Sequence, residues 1–231
     1  HDMHPFHIHE EIELLAMDFS TALFDTMAQL PRWTDYYLAH DQTPHYEFLK
    51  RCLKALQWLR GPERWVLKSP QHLEQLAPLI NAFPDARVVV THRDPVSVMA
   101  SMMTMVAYAA RLSRDPVRPA ELGETIRERI VLRLRTLVGT RHLLPPQQSL
   151  DVLFHEFMAD DVAMVERIYA MAGHPMTPEV RGAMSRYMDE NPRGKHGRIV
   201  YDMKADFGID PDAVREQLDF YYRAFPVKIG A

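Results

Sequence analysis

Between Arg64 and Ser101 the chain runs twice through one short sequence pattern: an apolar stretch, a fixed cation, a small polar residue and a proline. The first copy is Trp65-Val66-Leu67-Lys68-Ser69-Pro70, and the second is Val88-Val89-Val90-Thr91-His92-Arg93-Asp94-Pro95. A short apolar, β-branched run reads as a buried strand. Ser or Asp then reads as a helix N-cap, and the proline as a first helical residue whose missing N–H costs nothing. Between the copies, Leu73, Leu76, Leu79, Ile80 and Phe83 recur at helical spacing, and Pro84-Asp85 stops that helix. The pattern predicts a strand over Arg64 to Lys68, a helix, and a strand over Ala86 to Thr91, which is a βαβ crossover with a cation closing each strand. Open parallel sheets bind ligands outside the carboxyl ends of their strands. The expected ligand is therefore an anion, a nucleotide above all.

The same reading extends along the chain. Helices are expected over Glu10 to Met27, near Arg32 to Leu38, and over Pro44 to Leu59, where Phe48, Cys52, Leu53, Leu56 and Leu59 share a face. Beyond Asp94, the hydroxyls of Ser97, Ser101 and Thr104 fall on one helical face. Further helices are expected over Ala120 to Leu143, Met158 to Ala172, Pro178 to Met188 and Pro211 to Ala224, with a strand over Leu150 to Phe154. No repeat or break in composition divides the chain. The expected fold is a helix-rich α/β domain over residues 1–231, with a central parallel sheet flanked by helices. A helical region, 1–60, precedes a nucleotide-binding core, 61–231.

Composition narrows the partners. With 231 residues, 47% hydrophobic and 25% charged, the chain has the make-up of an ordinary globular protein. A formal charge of −4 argues against general nucleic-acid coating, which needs a basic excess. The single cysteine, Cys52, suits a reducing compartment. No run approaches the ~18 apolar residues of a membrane span, and no signal-peptide pattern opens the chain, so the expected compartment is the cytoplasm. His1, His4, His7 and His9 crowd the start without a fixed acidic or cysteine partner, and no metal is expected there. Met99, Met102, Met103 and Met105 are expected to fill an irregular core; exposed, they would form an adaptable apolar surface.

Particular residues carry the anion chemistry. Arg93, at a strand end, can offer a planar fork of donors to a phosphate, and Ser101 can add a hydroxyl to the same group. Lys68 is a point charge beside a helix start. Asn191 to Arg198 holds three fixed cations and two of the nine glycines, so Arg193 and Lys195 could fold over a phosphate through Gly194. Each has an ordinary alternative. Arg93 could pair with Asp94 or Glu156, Ser101 could be a solvated helix serine, and Lys68 could snorkel from a strand end. His72 could be a structural group at a helix start, Phe154 a core aromatic, and the late loop a solvated basic turn.

The runs LKSPQHLEQL, FPDARVVVTHRDPVSVMAS, FHEFMADD and NPRGKHG, in that order, resemble the nucleotide-binding frame of sulfotransferases that use 3'-phosphoadenosine-5'-phosphosulfate. The resemblance spans about residues 60 to 225, and is closest to bacterial members related to the tyrosylprotein sulfotransferases. It implies an architecture like that of the P-loop NTPases and transfer of a sulfuryl group to a hydroxyl acceptor, with adenosine 3',5'-bisphosphate as product. It further implies that Arg93 and Ser101 hold the 3'-phosphate and that Lys68 assists the leaving group. Phe154 would place a ring by the adenine, and Arg193, Gly194 and Lys195 would form the late basic loop. His72, in the first helical turn after Lys68, is the expected base.

The family pattern also contains an early strand, a loop resembling a P-loop, and, in the tyrosylprotein branch, a glutamate that acts as the base. No segment before Gly61 supplies that loop. The chain is thus expected to lack this element, whether by truncation, disorder or true absence. A small molecule, lipid, carbohydrate or peptide remains open as acceptor, as does a homo-oligomer. The rival readings are a nucleoside-phosphate kinase, which should carry a Gly-x-x-x-x-Gly-Lys-Ser/Thr loop not found here, and a non-catalytic helical interaction protein.

Overall fold

A computed structural model of the chain describes residues 9–61, 64–112, 114–192, 197 and 200–230. The chain divides into two compact units, residues 1–85 and 86–231.

The first unit is helical: α1 (Ile12–Ala16), α2 (Leu23–Met27), α3 (Pro31–Ala39), α4 (Thr43–Arg60), a 3-10 turn (Pro70–Glu74) and α5 (Leu76–Ala82). Helix α4 packs against α1 and α5, and its apolar face supplies Leu49 and Leu53 to a core that includes Leu15, Trp65 and Phe83. It stops at Gly61, whose φ of 69° is the left-handed conformation that a C-terminal cap requires.

Two expectations change here. Glu10 to Met27 is two short helices, because Phe19 turns to a φ of 53° and the polar groups after it leave the helical ladder. Thr21 donates its hydroxyl to the Ile12 carbonyl at 2.9 Å, and the Ala22 N–H donates to Gln71 Oε1 at 2.7 Å. The second change concerns Arg64 to Lys68, which forms no strand. The Lys68 N–H that a ladder would use donates instead to a carboxylate, Glu11 Oε2, at 2.8 Å, and Val66 is 94% exposed.

The second unit has β1 (Val88–His92), α6 (Pro95–Ala110), α7 (Pro119–Thr140), β2 (Ser149–Leu153), α8 (Phe154–Ala159), α9 (Asp161–Met171), α10 (Pro178–Glu190), α11 (Met203–Phe207), α12 (Pro211–Gln217) and α13 (Asp219–Ala224). Among the described residues the sheet has two strands, parallel, with Val88 opposite Ser149 and His92 opposite Leu153. Helix α7 packs against α6, α11 and α13, while α8 and α9 pack on β2. The fold is α/β and rich in helix. Asp160 caps α9 and so splits the helix expected from Met158, and Leu218 separates α12 from α13. Met99 and Met103 are fully buried in α6, as a core role requires, whereas Met105 is 52% exposed. No described helix is long and apolar enough to cross a membrane.

Candidate functional site

In the second unit, β1 passes into α6 through Arg93 and Asp94. Asp94 is 1% exposed and gathers four donors: Val96 N–H at 3.2 Å, the Ser97 hydroxyl at 3.1 Å, the Tyr222 hydroxyl at 2.6 Å and Gly230 N–H at 2.8 Å. Burial pushes its carboxyl pKa up, but these bonds outweigh burial and hold it below the usual carboxylate range. One anion thereby ties a strand end, a helix start and the segment after α13 together.

Arg93 is exposed at this edge, and its guanidinium carbon lies 4.4 Å from the centre of the Phe154 ring. Phe154 follows β2 directly, as the first residue of α8 rather than the last of the strand. The carboxyl ends of the two parallel strands therefore contribute a cation and an aromatic ring that meet. Of the three hydroxyls on α6, Ser97 is used by Asp94 and Thr104 bonds the Ala100 carbonyl at 3.0 Å. Ser101 instead reaches off its helix, donating to the Tyr201 hydroxyl at 3.2 Å. Glu156, the other acid considered as a partner of Arg93, lies 3.7 Å from Arg167 Nη1.

Beneath Arg93, the side chain of His92 has no exposed surface. Its Nε2 lies 2.9 Å from Asp151 Oδ1, its Nδ1 lies 2.8 Å from the Tyr221 hydroxyl, and Phe225 covers its ring at 4.0 Å. Arg141 grips both oxygens of Asp151, at 2.9 and 2.8 Å. Burial raises the Asp151 pKa, but the bonds from His92 and Arg141 prevail and hold it at about 2. The carboxylate is ionised and only accepts, so His92 Nε2 donates to it, which in the neutral ring leaves Nδ1 to accept from Tyr221.

The first unit repeats this chemistry around Lys68. Ser69 caps the 3-10 turn by accepting from Gln71 N–H at 3.2 Å, and the buried Gln71 side chain bonds Ala22 N–H and the Ser20 carbonyl. Lys68 is 74% exposed along its side chain, and its ammonium pairs with Glu10. Glu11 is 4% exposed. One of its oxygens accepts the Lys68 N–H at 2.8 Å and the other lies 2.6 Å from His72 Nε2. Burial raises the Glu11 pKa, while the bonds from His72 and Lys68 and from its own backbone N–H bring it below the usual value. Glu11 is thus an acceptor and Nε2 of His72 carries a hydrogen, which in the neutral ring leaves Nδ1 to accept from the Tyr46 hydroxyl at 2.8 Å. Tyr46 is fully buried, and burial drives its pKa well up, so that hydroxyl keeps its proton.

The structure thus joins Lys68 and His72 through one carboxylate, Glu11, in the first unit, and sets Arg93 over Phe154 in the second, where Ser101 bonds Tyr201. Arg193, Gly194 and Lys195 lie outside the described residues, as do His1, His4 and His7, while His9 bonds Glu13 at 2.9 Å. Glu11, Tyr46, Asp151, Tyr221 and Tyr222 were not legible as site residues in the sequence. The paired acids Glu10-Glu11 stand out locally, but no spacing rule links them to a lysine 57 residues away.

The structure is thus a helix-rich α/β fold in which an exposed arginine and an aromatic ring meet at the carboxyl edge of parallel strands, the edge at which such sheets bind ligands. Residues 1–178 match the sulfotransferase family, and the chain belongs to that family. Two crystal structures resemble the fold. Sulfotransferase STF9 from Mycobacterium avium superposes with a TM-score of 0.85 at 23% identity, over 95% of this chain and 56% of that one. Sulfotransferase STF1 from Mycobacterium tuberculosis superposes with a TM-score of 0.81 at 28% identity, over 94% of this chain and 56% of that one. The chain thus spans a little over half the length of either. No curated protein matches its sequence.

Proposed function

We propose that the chain serves sulfuryl transfer from 3'-phosphoadenosine-5'-phosphosulfate to an acceptor hydroxyl. The observation that carries this reading is the Arg93 guanidinium lying 4.4 Å over Phe154 at the carboxyl edge of β1 and β2. A fixed cation and an aromatic ring at that edge fit a phosphorylated purine nucleoside, and membership of the sulfotransferase family supports the bisphosphate form. The donor supplies an activated sulfuryl group whose leaving group is a phosphate.

Arg93 binds the 3'-phosphate as a fork of donors, and Ser101 adds its hydroxyl once it gives up Tyr201. Phe154 offers its ring to the base, while Arg193 and Lys195, beside Gly194 in the sequence, supply further charge. Lys68 neutralises charge that grows on the leaving oxygen, which is how positioning and electrostatics lower such barriers. In this reading His72 takes the acceptor's proton at Nδ1. Tyr46 holds that nitrogen in the structure, so an acceptor hydroxyl must exchange with it first. The acceptor is a small molecule, lipid, carbohydrate or peptide bearing a hydroxyl.

Thermal unfolding of the full-length protein with adenosine 3',5'-bisphosphate or 5'-ADP tests the reading. Saturation at a hundred times the dissociation constant stabilises by about 2.7 kcal/mol, or about 5–10 °C in a domain of this size. That shift is expected for the bisphosphate only, and Arg93→Ala removes most of it. Equal shifts with both nucleotides, or none, overturn the proposal.

A further inference from the structure

The adjacent acids Glu10 and Glu11 hold Lys68 in two different ways. Glu11, buried ahead of α1, takes the lysine's backbone N–H; Glu10, part-exposed, takes its ammonium. We propose that both are positioning residues for the Lys68 ammonium: Glu11 fixes the point from which the side chain springs, and Glu10 parks the charge until a ligand phosphate replaces it. This deepens the proposed function and rests on it.

The geometry of the segment supports the division of roles. Lys68 belongs to no strand ladder among the described residues, so neighbouring backbone does not set its position. A lysine side chain is long and flexible, and its charge is only as well placed as its Cα. The Glu11 carboxylate supplies that anchor through a charge-assisted bond of 2.8 Å. Its other oxygen grips His72, four residues on, and His72 in turn grips the fully buried Tyr46 of α4. The stretch from Lys68 to His72, with its Ser69 cap and Pro70, is bolted at both ends to one carboxylate. Breaking either bond leaves a part-buried donor unmatched, which keeps the arrangement in place when a ligand arrives.

Glu10 behaves oppositely. Its pairing with Lys68 is open to water, with the lysine side chain 74% exposed and the glutamate 35%. Exposed pairs of this kind are weak and readily exchanged. A phosphate carries more charge than a carboxylate and outcompetes Glu10 for the ammonium. Glu10 therefore opposes ligand binding to the extent that it holds the lysine, whereas Glu11 favours it.

The two substitutions have opposite signs. Binding of adenosine 3',5'-bisphosphate to the full-length protein is measured by titration calorimetry for Glu10→Gln and Glu11→Gln, each alone and combined with Lys68→Ala. Glu11→Gln is expected to weaken binding by about three- to tenfold, and Glu10→Gln to tighten it by about two- to threefold. In the Lys68→Ala background both effects should shrink to within about 1.5-fold, because residues acting through a lysine lose their effect with it. A purely structural role for Glu11 would persist there. Should Glu11→Gln fail to fold, the part-exposed Glu10→Gln decides by itself. Effects that persist without Lys68, or weaker binding by Glu10→Gln, overturn the proposal. If the wild type binds no bisphosphate, the donor reading falls and takes this proposal with it. If Arg93→Ala abolishes binding while the glutamate effects add independently of Lys68, only the positioning role falls.

Discussion

His72 and His92 lie in different units yet share one pattern: a carboxylate on Nε2 and a tyrosine hydroxyl on Nδ1. An ionised acid fixes the tautomer, and the tyrosine satisfies the remaining lone pair, so each ring is rigid and fully matched. From composition these were simply two of twelve histidines. Asp151 offers a test of how much such a chain stabilises. Its pKa falls to about 2 from an ordinary value near 3.9, so its contribution is fully present above about pH 4 and is lost as pH falls toward 2. The side chain is 37% exposed, and solvent screening reduces the gain from the full shift. Asp151→Asn keeps one oxygen for His92 and Arg141 Nε but loses the charge and turns an amide N–H against Arg141 Nη2, and should destabilise by about 1–2 kcal/mol at pH 7. Urea unfolding at stepwise lower pH should show wild type and variant converging by about pH 2; a gap that survives there contradicts the ionic origin.

Helix starts were legible because their signals are local. Ser69-Pro70, Asp94-Pro95 and Thr177-Pro178 each cap a helix as their residue types require, the side-chain oxygen accepting a backbone N–H. Helix interruptions were not. Phe19, Asp160 and Leu218 break apolar patterns that read as continuous: after Phe19 the Ala22 N–H goes to Gln71, 49 residues on, whereas Asp160 turns its side chain back to cap α9 at Ala163 N–H. Helix α11 went unforeseen because five residues carry too little periodicity. It matters for packing: a Cβ on Gly123 of α7 would meet Ile209 Cδ1 at 3.0 Å and Phe207 Cβ at 3.2 Å. Gly123→Val should therefore cost about 1–3 kcal/mol despite removing a helical glycine, as overpacking does, read by denaturant unfolding. A neutral or stabilising result would mean that α11 yields its place on α7 without cost.

Taken whole, the chain carries −4 and reaches zero net charge near pH 6.3, so the proposed anion site relies on local cations rather than a basic surface. Its solubility should pass through a minimum near pH 6.3, measured by precipitation across pH 5 to 8 at fixed salt; a monotonic curve contradicts this. By itself the sequence determined the helix-rich α/β class, the cap at each predicted cation, and the likeness to sulfotransferases, all of which follow from residue type and short spacing. Only the tertiary structure decided that Arg64 to Lys68 is not a strand, that Arg93 stacks on Phe154, and that Glu11 holds both Lys68 and His72. The reason is physical. Caps and periodicity act within a few residues, whereas a buried carboxylate finds its donors through the burial of the elements around it, at separations no local pattern records.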